Sequence, residues 1–201
     1  MEDYDTLKYY NENAKTYCEQ TKYGDMQEAY NHFLMLLPEG SYILDFGCGS
    51  GRDSKYFIEH GYKVKAIDGS EKLCELATLY IGQKVECMKF DELSDESLYD
   101  GIWACSSIIH VEREKLPDIL KKMITALKEN GVIYTCFKIG NQEIKEDGKY
   151  YNYMTKDMLE NMIHKVDTHY DIVSYYESGT VTNINRPKAT WGNYLIKKKK
   201  I

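Results

Sequence analysis

From Tyr42 onward, short hydrophobic runs alternate with amphipathic segments along the chain, and glycines stand between many of them. Short apolar runs bounded by turn residues are typical of buried strands, and longer amphipathic segments are typical of helices. Strands that alternate with helices at this spacing predict a parallel sheet with helices on both faces, because parallel strands need crossover connections. Such crossovers are right-handed, so we predict a doubly wound α/β sandwich of three layers.

The alternation of strand and helix patterns ends after Gly140, and the last two strand patterns have no helix between them. Strands joined in this way are antiparallel, so the mostly parallel sheet of seven strands should end in an antiparallel C-terminal hairpin. The predicted strands are Tyr42–Phe46, Lys63–Asp68, Val85–Met88, Gly101–Cys105, Val132–Phe137, Tyr170–Tyr176 and Thr190–Lys197. The predicted helices are Tyr4–Tyr17, Met26–Leu37, Asp53–His60, Glu71–Tyr80, Arg113–Leu127 and Thr155–His164.

The chain shows no low-complexity linker and no internal repeat, and its 201 residues suit one α/β domain. We therefore predict a single domain over residues 1–201, with a helical N-terminal cap at 1–37 and a Rossmann-like core at 38–201. We expect the cap to be a mobile lid, because it precedes the sheet and no other insertion looks large enough to cover a site at the sheet edge.

The net charge of −6 argues against a protein that wraps nucleic acid, which usually has a basic domain. None of the six cysteines forms a C-x-x-C pair, so zinc-ribbon and thioredoxin spacings are both absent. The cysteines lie mostly in apolar segments, which fits reduced core residues in a reducing compartment. No apolar stretch has the length of a membrane span, and the acidic start does not look like a signal peptide. We therefore expect a cytoplasmic protein with no membrane partner and no bound metal.

The first predicted strand runs into a glycine-rich turn, and the second ends in an acid. The turn has the pattern G-x-G-x-G over Gly47–Gly51, whereas a dinucleotide fingerprint needs glycine at position 52, where this chain has arginine. Asp68 ends the second strand, where a carboxylate can accept hydrogen bonds from both hydroxyls of a ribose. A helix N-cap is the alternative role for Asp68. Together the turn and the acid predict a ribose-bearing cofactor whose other half is an amino acid and not a pyrophosphate.

Five segments together resemble the motifs of class I S-adenosylmethionine-dependent methyltransferases, which have a seven-stranded Rossmann-like fold. They are Asp45–Gly51, Asp68, Val85–Asp91, Tyr99–Cys105 and Leu127–Val132, and Asn130-Gly131 stands where the family usually has Pro-Gly. The resemblance covers the chain from about residue 9 to residue 198. The run Gly-Arg-Asp at positions 51–53 is similar to Gly-Arg-Asn of the tellurite-resistance methyltransferase, which points to a subgroup of small bacterial enzymes.

The resemblance implies S-adenosylmethionine as the cofactor. Asp68 matches the ribose acid of the family, and Asp91 with the following amide matches the groups that hold the adenine edge. Asp53 also suits the first turn of its helix, where the macrodipole favours an acid. The residues that the resemblance places around the cofactor are Asp45, Gly47, Cys48, Gly49, Gly51, Arg52, Asp68, Gly69, Ser70, Phe90, Asp91, Glu92, Ala104 and Cys105.

Methyl transfer from a sulfonium is a direct displacement, so the protein chiefly aligns the two reactants. A base is needed only when the acceptor atom carries a proton, and His110 is our candidate for that base. Its alternative role is to fix the loop after the fourth strand by hydrogen bonding. Tyr10 and Tyr17 share one face of a helix that resembles the lid of small-molecule members, with simple packing as the alternative. Lys138 and Arg186 are candidates for binding the acceptor, and solvated charges are their alternative.

We therefore expect methyl transfer to a small-molecule acceptor, by a monomer or a homodimer. RNA or protein methylation is the alternative function, and a non-catalytic cofactor-binding protein is another. DNA is not expected as a partner, because residues Ala104–Ser107 match neither the Asx-Pro-Pro-aromatic turn nor the Pro-Cys nucleophile of DNA methyltransferases. A nicotinamide-dependent oxidoreductase would share the acid at the end of the second strand but needs the missing third glycine.

Overall fold

The computed structural model of the protein describes residues 3–180 and 189–199, with side chains from Thr6 onward. Two short 3-10 helices lie at Phe90–Glu92 and Ile108–His110. The helices are α1 (Asp3–Thr21), α2 (Gln27–Leu34), α3 (Arg52–Glu59), α4 (Glu71–Ile81), α5 (Leu116–Ala126) and α6 (Lys156–Val166). The strands are β1 (Tyr42–Phe46), β2 (Lys63–Asp68), β3 (Glu86–Cys87), β4 (Tyr99–Ala104), β5 (Leu127–Lys138), β6 (Glu143–Glu146), β7 (Lys149–Asn152), β8 (Tyr170–Ser178) and β9 (Trp191–Lys198).

Seven strands form the central sheet in the order β3-β2-β1-β4-β5-β9-β8. The first five of these are parallel to one another, and β9 is antiparallel to both β5 and β8. The strand order reverses between β1 and β4, so the carboxyl ends of these two strands open a crevice for a ligand. The predicted α/β class, the seven-stranded mostly parallel sheet, the antiparallel C-terminal pair and the N-terminal helix are all confirmed.

Successive side chains on β1 point to opposite faces of the sheet and enter two separate cores. Leu44 packs on one face with residues of α5 and α6 that include Leu120 and Ile163. Ile43 packs on the other face with residues of α2 and α3, among them Phe33. All five side chains are fully buried. The sheet is therefore covered on both faces, which holds the crevice at its carboxyl edge in one geometry.

The helix α5 begins later than the predicted start at Arg113, and proline occupies its first turn. Proline suits that position because its missing N–H would be unpaired there in any case. Arg113 precedes the helix, and its guanidinium donates to the side chain of Asn152 and to the carbonyl of Tyr153. The arginine therefore ties this loop to β7 instead of extending the helix.

The strands β6 and β7 form a separate two-stranded sheet that is absent from the predicted elements. Asp147 and Gly148 join them with φ angles of 51° and 75°, and both central residues of a type I′ turn need positive φ. The hairpin packs against α1 and against the 3-10 helix at Ile108–His110. The hairpin is therefore a second insertion beside the N-terminal helix, and the expectation that this helix is the lid stays a prediction.

Within the described ranges, no helix combines the length and the apolar character needed to cross a membrane. The limits of the domain, with a cap at 1–37 and a core at 38–201, stay a prediction.

Candidate active site

The glycine-rich turn joins β1 to α3 and is held against the end of β2. The backbone N–H of Gly47 donates to the carbonyl of Ile67 at 3.0 Å. Gly47, Gly49 and Gly51 have φ angles of +88°, +55° and +79°, a region that residues with a Cβ rarely adopt. A Cβ on Gly47 would lie only 2.5 Å from Cβ of Ser107. The turn therefore needs glycine both for its conformation and for its close approach to the loop after β4.

Asp68 lies at the end of β2, where its carboxylate joins the glycine turn to the start of α4. Its two oxygens accept hydrogen bonds from the backbone N–H groups of Gly49 and Ser70, each at 2.9 Å. Burial raises the pKa of this carboxyl above its ordinary value. The N-cap of α4 is Ser70, whose Oγ accepts from the N–H of Leu73. The alternative role of Asp68 as the N-cap is therefore wrong, and its remaining lone pairs can accept from ligand hydroxyls.

A cavity of about 730 Å³ opens at the carboxyl ends of β1, β2 and β4. Half of the predicted cofactor residues line this cavity, as do the three predicted catalytic residues. They are Gly47, Gly49, Asp68, Gly69, Phe90, Asp91, Cys105, Tyr10, Tyr17 and His110. The other predicted cofactor residues are outside the lining, and they are Asp45, Cys48, Gly51, Arg52, Ser70, Glu92 and Ala104. The motifs thus converge on one cavity, and the roles of the individual residues toward a cofactor stay a prediction.

Ser107 also lines the cavity, although the sequence motifs did not single it out. Its Oγ is buried and has no hydrogen-bond partner among the described residues. A buried hydroxyl without a partner costs free energy, so a bound ligand that pairs with it would gain affinity. The glycine turn suits the amino-acid half of a ligand, and the carboxylate of Asp68 suits the hydroxyls of its ribose. These residues therefore fit S-adenosylmethionine.

Asp45 lies beneath the glycine turn and is only 2% exposed. Its Oδ2 accepts a hydrogen bond of 2.6 Å from Oγ of Ser54 in α3. Burial, together with the negative charge of Asp53, raises the pKa of Asp45 to about 8. Asp45, the first residue of the motif, thus connects the end of β1 to α3 by a hydrogen bond.

Asp53 is the centre of a buried hydrogen-bond network that connects three elements. Its Oδ1 accepts from the hydroxyl of Tyr30 at 2.5 Å and from Nε of Arg52 at 2.6 Å. Its Oδ2 accepts from the indole of Trp103 at 2.8 Å and from Arg52 at 3.0 Å. Burial opposes ionisation here, but the guanidinium and the other donors together lower the pKa of Asp53. No local spacing could reveal this network, because Trp103 lies far away in sequence.

The helix α1 lies over the glycine turn. The rings of Tyr10 and Tyr17 contact each other edge to face, with centroids 5.1 Å apart, as their shared helix face predicts. A Cβ on Gly49 would lie 3.1 Å from the hydroxyl of Tyr17, so this tyrosine covers the turn closely. Oδ1 of Asn11 accepts from Oγ of Ser70 at 2.8 Å and from the first turn of α4 at 3.2 Å. The helix α1 is therefore attached by hydrogen bonds to the start of α4, next to the predicted ribose site.

His110 connects α1 to the β6–β7 hairpin. The hydroxyl of Tyr10 lies 2.8 Å from Nε2 of His110, and the carbonyl of Tyr150 lies 2.6 Å from Nδ1. Since a carbonyl only accepts, Nδ1 carries the hydrogen, and Nε2 accepts from the tyrosine. Burial lowers the pKa of His110 to about 4, so the ring is neutral at physiological pH. The two hydrogen bonds fit the residue that fixes the loop, whereas the lowered pKa makes His110 a weak base, and its role as proton acceptor stays a prediction.

Lys138 ends β5 near the hairpin, and its ammonium lies 4.2 Å from the centroid of the Tyr151 ring and 5.5 Å from that of Tyr153. A cation over aromatic faces is held by the quadrupole of the rings. Arg186 lies outside the described residues. The hypothesis that these two cations bind the acceptor stays a prediction. The part of the chain that the structure describes contains no cluster of histidine, cysteine and acidic residues that could hold a metal ion.

Residues 43–131 match the family model described as "Methyltransferase domain". One curated relative is N-terminal Xaa-Pro-Lys N-methyltransferase 1 of Xenopus tropicalis, which is 33% identical over 46% of this chain and 45% of its own length. Another is the ubiquinone biosynthesis O-methyltransferase of Coxiella burnetii strain Dugway 5J108-111, which is 26% identical over 48% of this chain and 43% of its own length.

Solved structures resemble nearly the whole chain. The 1,6-didemethyltoxoflavin-N1-methyltransferase of Burkholderia thailandensis, with bound 1,6-didemethyltoxoflavin and S-adenosylhomocysteine, has a TM-score of 0.75 at 18% identity, covering 96% of this chain and 85% of its own. TehB from Haemophilus influenzae has a TM-score of 0.71 at 18% identity, covering 95% of this chain and 67% of its own. At such identities these likenesses show the fold alone.

The fold, the cavity and the matched family model define a class I, S-adenosylmethionine-dependent methyltransferase domain. Residues 43–131 match that class, and the family model and the neighbour with bound S-adenosylhomocysteine support S-adenosylmethionine as the cofactor, as the sequence motifs predict. The matches span 36% to 45% of the length of the first curated relatives, so the activity and the substrate of the whole protein are matters of proposal.

Proposed function

We propose that the protein transfers the methyl group of S-adenosylmethionine to a small-molecule acceptor that binds beneath α1 and the β6–β7 hairpin. The observation that carries this proposal is the connection through His110, which hydrogen-bonds to Tyr10 of the helix and to Tyr150 of the hairpin. Tyr10 and His110 line the cavity, and its volume of about 730 Å³ suits a small molecule. The Burkholderia neighbour and the Coxiella relative, by their names, also act on small molecules.

When bound, the cofactor supplies a methyl group that its sulfonium charge already activates, so the residues of the chain contribute alignment and enclosure. Asp68 would accept the ribose hydroxyls, and the glycine turn would hold the amino-acid half. Tyr10 and Tyr17 would exclude water from the reacting atoms, since their rings close over the turn. Where the acceptor atom loses a proton, Nε2 of His110 would receive it through the hydroxyl of Tyr10.

A peptide acceptor is the second candidate, because the Xenopus relative, which is 33% identical, methylates protein N-termini according to its name. RNA methylation and a non-catalytic cofactor-binding role are weaker alternatives. The net charge of −6 disfavours RNA, and the contact between Tyr10 and His110 in the cavity wall supports a catalytic role. The cytoplasmic location and the monomeric or homodimeric state also remain predictions.

The test is S-adenosylhomocysteine release by the purified protein, measured in parallel with a metabolite library, with peptides that begin Xaa-Pro-Lys, and with RNA. We expect release with at least one metabolite and none with the peptides or RNA. The Asp68→Ala variant controls for contaminating enzymes. Release with peptides or RNA alone would contradict the small-molecule proposal, and cofactor binding without any release would favour the non-catalytic role.

A further inference from the structure

Cys105 and Cys136 lie side by side at the carboxyl edge of the sheet, with their sulfurs 4.0 Å apart. The residues that precede them, Ala104 in β4 and Thr135 in β5, are partners in the parallel register. Cys105 lines the cavity, whereas Cys136 is buried behind it. One sulfur is therefore open to small molecules in the cavity, and the second is within its immediate reach.

The pair directly follows the register partners Ala104 and Thr135, a position compatible with a disulfide. Neighbouring strands lie about 4.7–4.9 Å apart, and disulfides bridge Cα separations of about 4.4–6.8 Å. The two side chains point to the same face of the sheet, because their sulfurs already meet. Closing the bond requires the sulfurs to approach to about 2.05 Å, which rotation of the two side chains can supply.

The surroundings of the pair favour a thiolate at Cys136. The backbone N–H of Ser106 donates to Sγ of Cys136 at 3.2 Å, and the hydroxyl of Ser106 lies 3.3 Å from the same sulfur. Contact with the Cys105 thiol and these two donors lower the pKa of Cys136, although burial opposes this. The same contact and burial raise the pKa of Cys105 well above its ordinary value, so Cys136 is the thiolate of the pair. Nη2 of Arg52 lies 3.9 Å from Sγ of Cys105 and places a positive charge beside that sulfur. Cations and hydrogen-bond donors are the features that make cysteines reactive.

We propose that Cys105 and Cys136 are a dithiol modification site that a hydroperoxide converts to a disulfide. The thiol of Cys105 gives its proton to the Cys136 thiolate and attacks the peroxide oxygen, which forms a sulfenic acid and releases hydroxide or alkoxide. The thiol of Cys136 then attacks the sulfenic sulfur, forming the S–S bond and releasing water. In sum, two thiols and hydrogen peroxide give one disulfide and two waters.

The disulfide acts on the methyltransferase site through the loop after β4. Ser106 loses its acceptor sulfur, and the adjoining Ser107 contacts the glycine turn so closely that Gly47 admits no Cβ. Cys105 itself lines the cavity, so movement of its side chain on forming the disulfide changes the shape of the cavity wall. Oxidation therefore weakens cofactor binding, and reduction restores it. The site is independent of which acceptor the enzyme uses.

Mass spectrometry of the peroxide-treated full chain tests the pair directly. After alkylation of free thiols and cleavage by trypsin, we expect peptides 90–113 and 129–138 to be joined with the loss of two hydrogens, and dithiothreitol to separate them. Cys136→Ser should abolish the joined peptide and leave Cys105 as a sulfenic acid that dimedone captures. Cys87→Ser, at the exposed cysteine, is the matched control and should still give the joined peptide.

Two results would overturn the proposal. In the first, residues 105 and 136 are alkylated in full after a peroxide treatment that oxidises Cys87. In the second, the disulfide forms, but isothermal titration finds the affinity for S-adenosylhomocysteine unchanged, whereas we expect it to be at least about tenfold weaker. Neither the mass spectrometry nor the titration measures turnover, so a negative result for the disulfide is distinct from a negative result for the proposed methyl transfer.

Discussion

The hydroxyl of Tyr10 lies 2.8 Å from Nε2 of His110, and this contact joins the first helix of the chain to the loop after β4. Burial raises the pKa of Tyr10 well above its ordinary value, so its hydroxyl keeps its hydrogen and donates it to the neutral imidazole. This hydrogen bond attaches the predicted lid helix to the loop after β4. It is also a candidate path for a proton.

Replacing Tyr10 with phenylalanine separates these roles from simple packing, because the ring remains and only the hydroxyl is lost. We expect kcat to fall about 100-fold if the acceptor atom gives up a proton along this path. The affinity for S-adenosylhomocysteine should change less than about threefold. The control is Tyr9→Phe, since Tyr9 contacts the Lys149 ammonium with its ring face, which the substitution retains. Steady-state kinetics in which both variants match the native enzyme would exclude the proton path.

Asp68→Ala should weaken the binding of S-adenosylhomocysteine by about tenfold to a hundredfold, because a charge-assisted hydrogen bond contributes about 1.5–3 kcal/mol. The carboxylate also holds the N–H groups of Gly49 and Ser70, so part of the loss comes from the turn itself. Asp91→Ala, on the other side of the cavity, tests the predicted adenine contact in the same titration. An Asp68→Ala protein that binds with native affinity would contradict the ribose assignment.

Gly49→Val should abolish cofactor binding, because a branched residue is strained at a φ of +55° and its Cβ would lie 3.1 Å from the Tyr17 hydroxyl. Gly82→Val is the matched control. Gly82 ends α4 with a φ of +71° and has no atom within 4 Å of an added Cβ. Both variants carry backbone strain, and only the first is next to the cavity. Equal losses of binding in two folded variants, judged by circular dichroism and calorimetry, would show that strain alone is responsible.

Asp45 makes the stability of the protein depend on pH. Burial and the Asp53 charge raise its pKa from 3.8 to about 8 in the folded state, so the folded state binds this proton more tightly than the unfolded state. The resulting stabilisation is complete below about pH 4 and is lost as the pH rises through about 8. The Asp45→Asn variant has no carboxyl at this position, so it does not lose this stabilisation as the pH rises. We therefore expect the free energy of unfolding of the variant minus that of the native protein to increase from pH 5 to pH 8.5, measured by urea titrations.

The matched comparison is Asp53→Asn, which leaves the buried guanidinium of Arg52 without a counter-charge. Breaking such a buried pair costs about 3–5 kcal/mol. A pH-independent difference between Asp45→Asn and the native protein would show that Asp45 is ionised throughout, contrary to the raised pKa.

Much of the fold follows from patterns that are local in sequence. The period of the hydrophobic residues gave the strands, and glycine at positions 47, 49 and 51 marked the turn because left-handed φ angles are accessible to few other residues. Asp68 could be assigned to the cavity because the carboxyl end of a parallel strand always faces the crevice. Each of these inferences depends on neighbours in the chain.

The rest depends on contacts between residues that are distant in sequence. The indole of Trp103 donates to Asp53 across two elements, and Nδ1 of His110 is held by the backbone of Tyr150, whose side chain gives no hint of this role. The β6–β7 hairpin is a different case, because its signal was present. Asp147-Gly148 is a dipeptide that favours a type I′ turn, although the residues on either side of it do not alternate between polar and apolar.

The final prediction concerns the motion of α1. Oδ1 of Asn11 accepts from Oγ of Ser70 and from the N–H of Lys72, so it attaches the helix to the start of α4. Asn11→Ala removes both bonds and should speed hydrogen exchange in residues 9–17. Asn13→Ala is the matched control, since its amide only donates to the Tyr9 carbonyl within the same helix.

Binding of S-adenosylhomocysteine should slow exchange in residues 9–17, because Tyr17 and Leu7 lie over the glycines that would hold the cofactor. The slowing should be larger in Asn11→Ala than in the native protein, since the variant starts from a more open helix. Turnover of Asn11→Ala should fall while its affinity for the product changes only modestly, because alignment of the reactants depends on closure more than binding does. If residues 9–17 exchange slowly without ligand, and neither the ligand nor Asn11→Ala alters this, then α1 is a fixed part of the core and acceptors must enter beside the hairpin.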